Sequence, residues 1–292
     1  MQSLLAEMET AMLKACAGSI NIDNSKNLSV VAVQYHLRTR GHQLRARLCL
    51  DASIRLGIPG ATAVILASIC ELLHNASLIH DDLIDRSTMR RNQEAVWLRF
   101  GDGIAVCAGD LLLGAAYSTI PGIAPAALIP EISALVHMRL QQVIWGQAEE
   151  LRSSANSTVY EYERLATGKS ASLLGLCLEL PLTVANLSVD LPLAQQVAAS
   201  FAVAYQIADD LRDAEEDRLS NRLNFVQVLS SKRGVSVVEA RLSAELRVKS
   251  LLIETELLAA KLPFQCGAVL MEHAALLQEQ LQDHSSIAVA RA

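Results

Sequence analysis

Two aspartate clusters of the same DDxxD form stand far apart in this chain, at residues 81–85 and 209–213. Each cluster follows an apolar stretch with helical spacing, so its first and last aspartates fall one turn apart on one helix face. Like charges this close repel one another unless a positive group neutralises them. Carboxylate oxygens suit hard divalent cations, and Mg²⁺ commonly joins one or two carboxylates to substrate phosphates. Two facing clusters would form a cage for Mg²⁺ and a diphosphate; the alternative is two solvated acidic helix ends.

The composition of the chain predicts a single all-α domain over residues 1–292. Hydrophobic residues make up 51% of the chain and aromatic residues only 4%, and alanine and leucine dominate. That balance is typical of a large helical core rather than of a β-sandwich. The net charge of −6 argues against nucleic acid as a partner.

Helical spacing of apolar residues runs through nearly every segment, and no run alternates in the manner of a β-strand. Turn-forming residues interrupt this pattern at 57–60, 121–122, 186–192 and 262–263. We therefore expect helices throughout. The expected helices cover residues 3–17, 28–38, 43–56, 60–84, 93–99, 103–119, 124–152, 158–167, 169–186, 191–214, 222–229, 235–261 and 267–282.

The cysteines and the apolar segments bear on location. The first twenty residues carry charges in an amphipathic pattern, which a signal peptide lacks. Residues 111–130 are uncharged and long enough to span a bilayer, but prolines and Gly122 interrupt them. We read this segment as a helix end, a turn and a new helix start, and we expect no transmembrane segment. Six scattered cysteines without a CxxC pair indicate reduced core residues of a cytoplasmic protein: Cys16, Cys49, Cys70, Cys107, Cys177 and Cys266.

Two adjacent arginines, Arg90 and Arg91, follow the first cluster. Arginine is well suited to bidentate contacts with phosphate oxygens. Alone, such a pair is usually a solvated surface feature. Beside a set of metal-binding carboxylates, it indicates a diphosphate site.

Several further motifs follow at regular positions along the chain. Together they resemble the trans (head-to-tail) isoprenyl diphosphate synthases, also called polyprenyl synthetases. The resemblance implies an all-α isoprenoid synthase fold, a helical bundle around a deep central cavity, and usually a homodimer. The segments that carry it are Leu72–Asp82, Arg90-Arg91, Phe100-Gly101, Ala108–Leu113, Gly146-Gln147, Gly168–Ala171 and Tyr205–Asp210.

The resemblance also implies a reaction. An allylic diphosphate binds through Mg²⁺ to both clusters and ionises, with about three Mg²⁺ ions expected in each active site. The double bond of isopentenyl diphosphate attacks the allylic carbon and a proton leaves. The metal ligands would be Asp81, Asp85 and Asp209, with Asp82 and Asp210 as further catalytic carboxylates.

The resemblance assigns the substrate contacts in the same way. Arg90 and Lys169 would bind the allylic diphosphate, and Arg91 and His74 would face isopentenyl diphosphate. Two further polar groups would offer oxygen dipoles near the carbocation, which must be shielded from water, namely Ser170 and Gln206.

Product length would be set along the helix that carries the first cluster. Ala76 and Ser77 lie about 6–8 Å from Asp81 along this helix, at about 1.5 Å per residue. Relatives that stop at C15 place aromatic rings there, so these small side chains favour a C20 product, with C15 or longer chains open. The floor of the cavity would be formed by Leu73, Leu113 or Tyr117.

The chain departs from the family in residues 40–46. Family members carry GGKRxRP there, whereas this chain has His42 and Gln43 in place of the lysine and the first arginine. Only Gly41, Leu44 and Arg45 keep the pattern. We expect a weakened homoallylic site, in which Arg45 contacts the diphosphate of isopentenyl diphosphate. His42 would add a positive charge when the bound diphosphate raises its pKa. Asn92 also replaces the usual glycine after the arginine pair.

Two other functions stay open at this point. One is a class I terpene synthase-like enzyme, which ionises an allylic diphosphate without adding isopentenyl diphosphate. The other is a non-catalytic subunit of a heteromeric synthase. Such subunits tend to lose aspartates, and both clusters are whole here.

Overall fold

Almost all regular structure in the described part of the chain is α-helical, as the sequence predicts. The computed structural model describes residues 1–18, 27–39, 41, 43–152, 157–220 and 223–290, without the side chains of 216, 218–220, 232–233 and 282–290. The helices are α1 (Gln2–Ala17), α2 (Leu28–Arg38), α3 (Leu44–Arg55), α4 (Gly60–Ile84), α5 (Val96–Phe100), α6 (Asp102–Thr119), α7 (Ile129–Glu150), α8 (Val159–Ala166), α9 (Ser172–Val184), α10 (Leu191–Ser220), α11 (Phe225–Arg233), α12 (Val237–Ala259) and α13 (Ala268–Ala290).

A two-residue hairpin is the main departure from the predicted elements. Strands β1 (Met89–Arg90) and β2 (Gln93–Glu94) pair antiparallel, so the helix expected from residue 93 begins only at Val96. Arg91 and Asn92 join the strands with φ angles of 52° and 63°. Two successive left-handed residues form the type I′ turn that suits the twist of a hairpin. Strands this short leave no alternating pattern in the sequence.

Several helix ends also differ from prediction. The helix expected at 124–152 begins at Ile129, because a short 3₁₀ turn over Ala126–Leu128 follows Pro125. The helix expected at 191–214 continues to Ser220, and the next one runs over 225–233 instead of 222–229. The last helix extends to Ala290.

The chain divides into two compact units. The first unit comprises Met1–Val136 and Leu180–Asn186, and the second comprises His137–Glu179 and Leu187–Ala292. The prediction of one domain over residues 1–292 therefore stays a prediction.

Helix α4 is the core of the first unit. Helices α1, α3 and α6 pack against it, and most of its side chains are buried. Its apolar composition explains this, since burying each large aliphatic side chain contributes about 1.5–3 kcal/mol. In the second unit, α10 is the central helix, and α8, α11, α12 and α13 pack against it.

Two helices in the described residues are long and apolar enough to cross a membrane, by length and composition alone. In Gly60–Ile84, 78% of the most apolar window is buried within the structure, whereas in Asp102–Gly122 the share is 39%. The uncharged segment 111–130 contains the end of α6, two 3₁₀ turns and the start of α7, so the expected break is confirmed.

The cysteines follow the prediction at all but one position. All six have free thiols, and five of them are buried. Cys107 is exposed, contrary to expectation, because it lies on the face of α6 that points away from the core of the first unit.

A buried polar network joins α2 and α3 to α4. His36 Nε2 lies 3.1 Å from Asn75 Oδ1, and Asn75 Nδ2 donates to Glu71 O at 2.8 Å. Glu71 Oε1 accepts the backbone N–H of Ala46 at 2.9 Å. Burial, aided by the nearby charge of Arg91, lowers the pKa of His36 to about 4. Burial also raises the pKa of Glu71.

We expect His36 to make stability depend on pH. In the unfolded chain this histidine binds a proton below its ordinary pKa of 6.5, whereas in the folded chain it stays neutral down to about pH 4. The free energy of unfolding should therefore fall as the pH drops from about 6.5 to about 4, with His36 contributing on the order of 3 kcal/mol. Urea denaturation of wild type and His36→Gln across this window measures that contribution, because glutamine does not titrate.

The exposed His137 provides a matched control for this measurement. His137→Gln should keep the wild-type dependence on pH. A His36→Gln protein that loses stability as steeply as wild type would contradict the assignment.

Candidate active site

The first aspartate cluster lies at the C-terminal end of α4, where its members divide between two environments. Asp82 is 1% exposed and forms an ion pair with Arg90, whose Nε donates to Asp82 Oδ1 at 3.0 Å. Burial raises the pKa of Asp82, although the hydrogen bonds from Arg90 oppose the shift. Asp81 is half-buried and Asp85 is exposed. Asp82 therefore holds Arg90 in place, whereas the side chains of Asp81 and Asp85 keep surface that solvent can reach.

The accessible carboxylates suit a Mg²⁺ ion that arrives with a diphosphate. Among the described residues, no three His, Cys, Asp or Glu side chains already stand close enough to hold a metal ion. Magnesium does not require such a set, since it usually combines one or two carboxylates with waters and substrate phosphates. Within the first unit, Asp81 and Asp85 could supply those carboxylates.

The hairpin turn directs Arg91 toward the segment before α3. Arg91 NH1 donates to the carbonyl oxygen of Thr39 at 2.9 Å. Its guanidinium lies so close to Gly41 that a Cβ there would stand 2.9 Å from Arg91 Nε, which explains the glycine. Asn92 tolerates a left-handed conformation better than most residues. The departure from glycine at this position therefore preserves the turn.

Arg45 and His74 form a second pair near the start of α3. Arg45 NH1 lies 3.2 Å from His74 Nε2, and Arg45 Nε is buried with no hydrogen-bond partner. Burial and the adjacent charge of Arg45 lower the pKa of His74 well below its ordinary value. His74 is therefore neutral and accepts from Arg45, which leaves its Nδ1–H as a donor.

Gln43 is engaged by the first helix. It has a left-handed φ of 50°, and its Nε2 donates to Glu9 Oε1 at 2.8 Å. Together with Gln2, Leu5 and Ala6, these two residues line a cleft of about 290 Å³. His42, predicted as a diphosphate contact, lies outside the described residues.

The predicted chain-length residues differ in their surroundings. Ala76 has no exposed surface and Leu73 is 1% exposed, so both are packed in the core. Ser77 is half-buried, and its hydroxyl donates to His74 O at 2.8 Å. Tyr117 is also half-buried, and burial raises its pKa. Leu113 is half-buried as well. Ser77, Leu113 and Tyr117 are therefore the members of this set with surface to offer a ligand.

The second aspartate cluster lies on α10 and divides in the same way as the first. Asp209 is partly exposed and forms an ion pair with Arg212 one turn along the helix. Asp210 is 4% exposed and accepts hydrogen bonds from Tyr162 Oη at 2.7 Å and from the backbone N–H of Phe225 at 2.6 Å. Burial raises the pKa of Asp210 to about 6, even though these hydrogen bonds oppose the shift.

Gln206 is tied to the same carboxylate. Its Nε2 donates to Asp210 Oδ1 at 3.2 Å. This hydrogen bond orients the amide group of Gln206. Its carbonyl oxygen, the negative end of the amide dipole, is the atom that could stabilise a carbocation.

Lys169 and Ser170 lie in a π-helical turn, Thr167–Ala171, between α8 and α9. Such turns occur often at functional sites. Lys169 Nζ donates to Glu150 Oε2 at 2.5 Å, and Ser170 is half-buried. Gly146 permits this arrangement, because a Cβ at that position would stand 2.9 Å from the backbone nitrogen of Lys169.

Sequence reasoning gave no role to three groups that the structure singles out. Tyr162 and Asn224 both bond to Asp210, and nothing in their sequence context marks them. Gln147 belongs to the Gly146-Gln147 motif, which by itself assigns it no role. In the structure its amide nitrogen and oxygen are both buried without a hydrogen-bond partner. An unpaired buried amide costs about 1–3 kcal/mol for each group, so it marks a position where a ligand or water could bind.

Comparison with known proteins identifies relatives of this chain. The sequence model of the polyprenyl synthetase family matches residues 27–224. The chain is 30% identical over 174 residues to a geranylgeranyl diphosphate synthase of Mycobacterium tuberculosis, covering 59% of this chain and 50% of that protein. It is 28% identical over 232 residues to the chloroplastic geranylgeranyl pyrophosphate synthase 11 of Arabidopsis thaliana, covering 71% and 65%. The chain thus spans between half and two thirds of the length of these curated relatives.

A solved structure bears on the fold. The geranylgeranyl pyrophosphate synthetase from the archaeon Geoglobus acetivorans matches with a TM-score of 0.83 at 19% identity, covering 95% of this chain and 97% of that chain. At so low an identity the likeness concerns the fold alone. It confirms the predicted all-α isoprenoid synthase fold.

Proposed function

This chain belongs to the polyprenyl synthetase family, and we propose that it is a Mg²⁺-dependent prenyltransferase. It would condense an allylic diphosphate with isopentenyl diphosphate, head to tail, to a longer trans-prenyl diphosphate. The observation that carries this proposal is the division within each aspartate cluster. Asp82 and Asp210 are buried and satisfied by the protein, while Asp81, Asp85 and Asp209 keep accessible surface for a metal ion.

The allylic diphosphate would bind beside these accessible carboxylates. Bound Mg²⁺ neutralises the negative charge that develops on a leaving diphosphate. Arg90 is held by Asp82, so its guanidinium needs little reorganisation to meet a phosphate oxygen. Within the second unit, Lys169 would offer a positive charge to a diphosphate that competes with Glu150 for its ammonium group.

Isopentenyl diphosphate would bind to the groups around the start of α3. Arg91 is fixed by Thr39, and Arg45 presents a buried Nε–H without a partner. The neutral His74 keeps a donor at Nδ1. Two guanidinium groups and one imidazole thus support a working homoallylic site, despite the loss of family residues at 42 and 43. For this reason we favour the synthase over a terpene synthase-like enzyme.

The contact between Gln43 and Glu9 is the observation that favours the alternative, ionisation without isopentenyl diphosphate. One assay separates the functions. Purified protein is given Mg²⁺ and an allylic diphosphate, with and without isopentenyl diphosphate. A longer diphosphate identifies a synthase, a hydrocarbon or alcohol identifies the terpene synthase-like enzyme, and no turnover identifies a non-catalytic subunit.

Assembly and location are part of the same proposal. We propose a homodimer, supported by α6, whose apolar window is only 39% buried within the structure. Val106 on this helix is 44% exposed and Leu98 just before it is 45% exposed. We also propose a cytoplasmic location, supported by six free cysteine thiols.

Catalysis should require divalent metal and both clusters. Asp81→Asn, Asp85→Asn and Asp209→Asn each keep the side-chain shape but remove one negative charge from the metal site. We expect each to lower kcat on the order of a thousand-fold, because several kcal/mol of charge stabilisation are lost in the transition state. Turnover measured across a Mg²⁺ titration tests this. Asp51→Asn, which alters only an ion pair with Arg55 on α3, should retain wild-type turnover. Near-normal activity in any of the cluster variants would refute the metal site.

Product length should respond to Ser77. A phenylalanine there would fill the accessible space beside α4 and stop the growing tail, so we expect the main product of Ser77→Phe to shorten from C20 to C15. Leu78→Phe is the control, because its side chain points about 100° further round the helix. Ala76→Phe is a poorer test, since Ala76 has no exposed surface and a ring would displace core side chains. Chromatography of the products decides the question, and an unchanged pattern in Ser77→Phe would show that the tail does not pass this residue.

The homoallylic site should respond to position 43 only when Glu9 is changed too. In Gln43→Arg the new guanidinium would pair with the Glu9 carboxylate, so the KM for isopentenyl diphosphate should change little. In Glu9→Gln/Gln43→Arg the guanidinium is released, and we expect KM to fall about ten-fold. Glu7→Gln/Gln43→Arg is the control, because Glu7 lies on the same helix and bonds to Ser3 instead. Equal KM values in all three variants would show that residue 43 does not face this substrate.

A further inference from the structure

Asp210 connects three helices of the second unit through hydrogen bonds. Its carboxylate accepts from Tyr162 Oη on α8 at 2.7 Å and from the backbone N–H of Phe225, the first residue of α11, at 2.6 Å. The backbone carbonyl oxygen of Asp210 accepts a hydrogen bond from Asn224 Nδ2 at 2.8 Å. Because Asp210 lies on α10, its hydrogen bonds to α8 and to the start of α11 restrict the rotation of α10 about its own axis.

Asn224 strengthens this connection, and its side chain has no exposed surface. Its Nδ2 also donates to Asp217 Oδ2 at 2.8 Å, two turns further along α10. Its Oδ1 caps α11 by accepting the backbone N–H of Val226 at 2.9 Å. One side chain therefore caps α11 and contacts α10 at two levels.

The aromatic rings of Tyr162 and Phe225 also pack against each other. The centroids of the Tyr162 and Phe225 rings are 4.9 Å apart. The ring of Tyr162 is therefore held by packing, while its hydroxyl alone reaches the carboxylate. Removing only the hydroxyl should leave the packing of α8 on α11 in place.

We infer that Tyr162 and Asn224 are positioning residues for the metal ligand Asp209. Asp209 directly precedes Asp210, so its carboxylate points about 100° away from that of Asp210 around α10. Any rotation of α10 moves Asp209 relative to a bound ion, and the bonds to Asp210 resist that rotation. Groups that orient metal ligands from behind typically change metal affinity about 10–100-fold when they are removed. This inference rests on the proposed function, since it takes Asp209 as a ligand.

Metal binding measured without turnover tests the inference. The probe is Mn²⁺ in the presence of inorganic diphosphate, followed by electron paramagnetic resonance with the full-length protein. We expect Tyr162→Phe to weaken Mn²⁺ binding about ten-fold relative to wild type while the protein remains folded, which circular dichroism at the temperature of the measurement verifies. Tyr160→Phe is the control: this tyrosine lies on the same helix but is 76% exposed, and its loss should leave Mn²⁺ binding unchanged.

A second variant covers the case in which Tyr162→Phe folds poorly. Asn224→Ser keeps an oxygen to cap α11, but its shorter side chain lacks the amide Nδ2 that donates to the Asp210 carbonyl, so it should weaken Mn²⁺ binding in the same direction. Wild-type affinity in a folded Tyr162→Phe or a folded Asn224→Ser protein would overturn the positioning role. A wild type that binds no Mn²⁺ would overturn the metal site of the proposed function, and the positioning role with it. The two failures are thereby distinguished, the first appearing only in the variants and the second already in wild type.

Discussion

The burial of one carboxylate in each aspartate cluster is the constraint on which the candidate site depends. A buried carboxylate must find strong partners, because an unpaired charge in the interior is very costly. Asp82 is satisfied by Arg90, and Asp210 by a phenol and a backbone N–H. These contacts anchor the C-terminal end of α4 and the C-terminal half of α10. The neighbouring aspartates are then held on fixed helix faces, where their side chains keep surface that a metal ion could reach.

Much of this arrangement could be predicted from the sequence. Helical spacing placed α4 at its observed bounds, and the DDxxD pattern located both clusters. The division of roles within a cluster could not be predicted, because all its members are aspartates. What separates Asp210 from Asp209 is contact with Tyr162 and Phe225, which arrive from other helices. The hairpin was missed for a similar reason, since two-residue strands carry no periodic signal and depend on the turn between them.

The departures from the family pattern differ in their physical consequences. Asn92 replaces a glycine at a left-handed turn position, and asparagine adopts that conformation at low cost, so the backbone that directs Arg91 is retained. Gln43 also occupies a left-handed position, but there the change concerns charge. Its amide donates to the carboxylate of Glu9 on another helix, and the positive charge that the family carries at this position is lost. One substitution preserves geometry, whereas the other alters chemistry.

Charge balance explains how the proposed site for isopentenyl diphosphate could tolerate that loss. Burial lowers the pKa of Arg91, the charges of Arg90 and Arg45 lower it further, and the Glu71 carboxylate opposes the shift. Burial in turn raises the pKa of Glu71. The neutral His74 adds no charge. The three guanidinium groups therefore outnumber the Glu71 carboxylate in a partly buried setting, where electrostatic interactions are stronger than in water. A bound diphosphate would relieve the repulsion among these guanidinium groups, so part of the binding free energy is already supplied by the residues that remain.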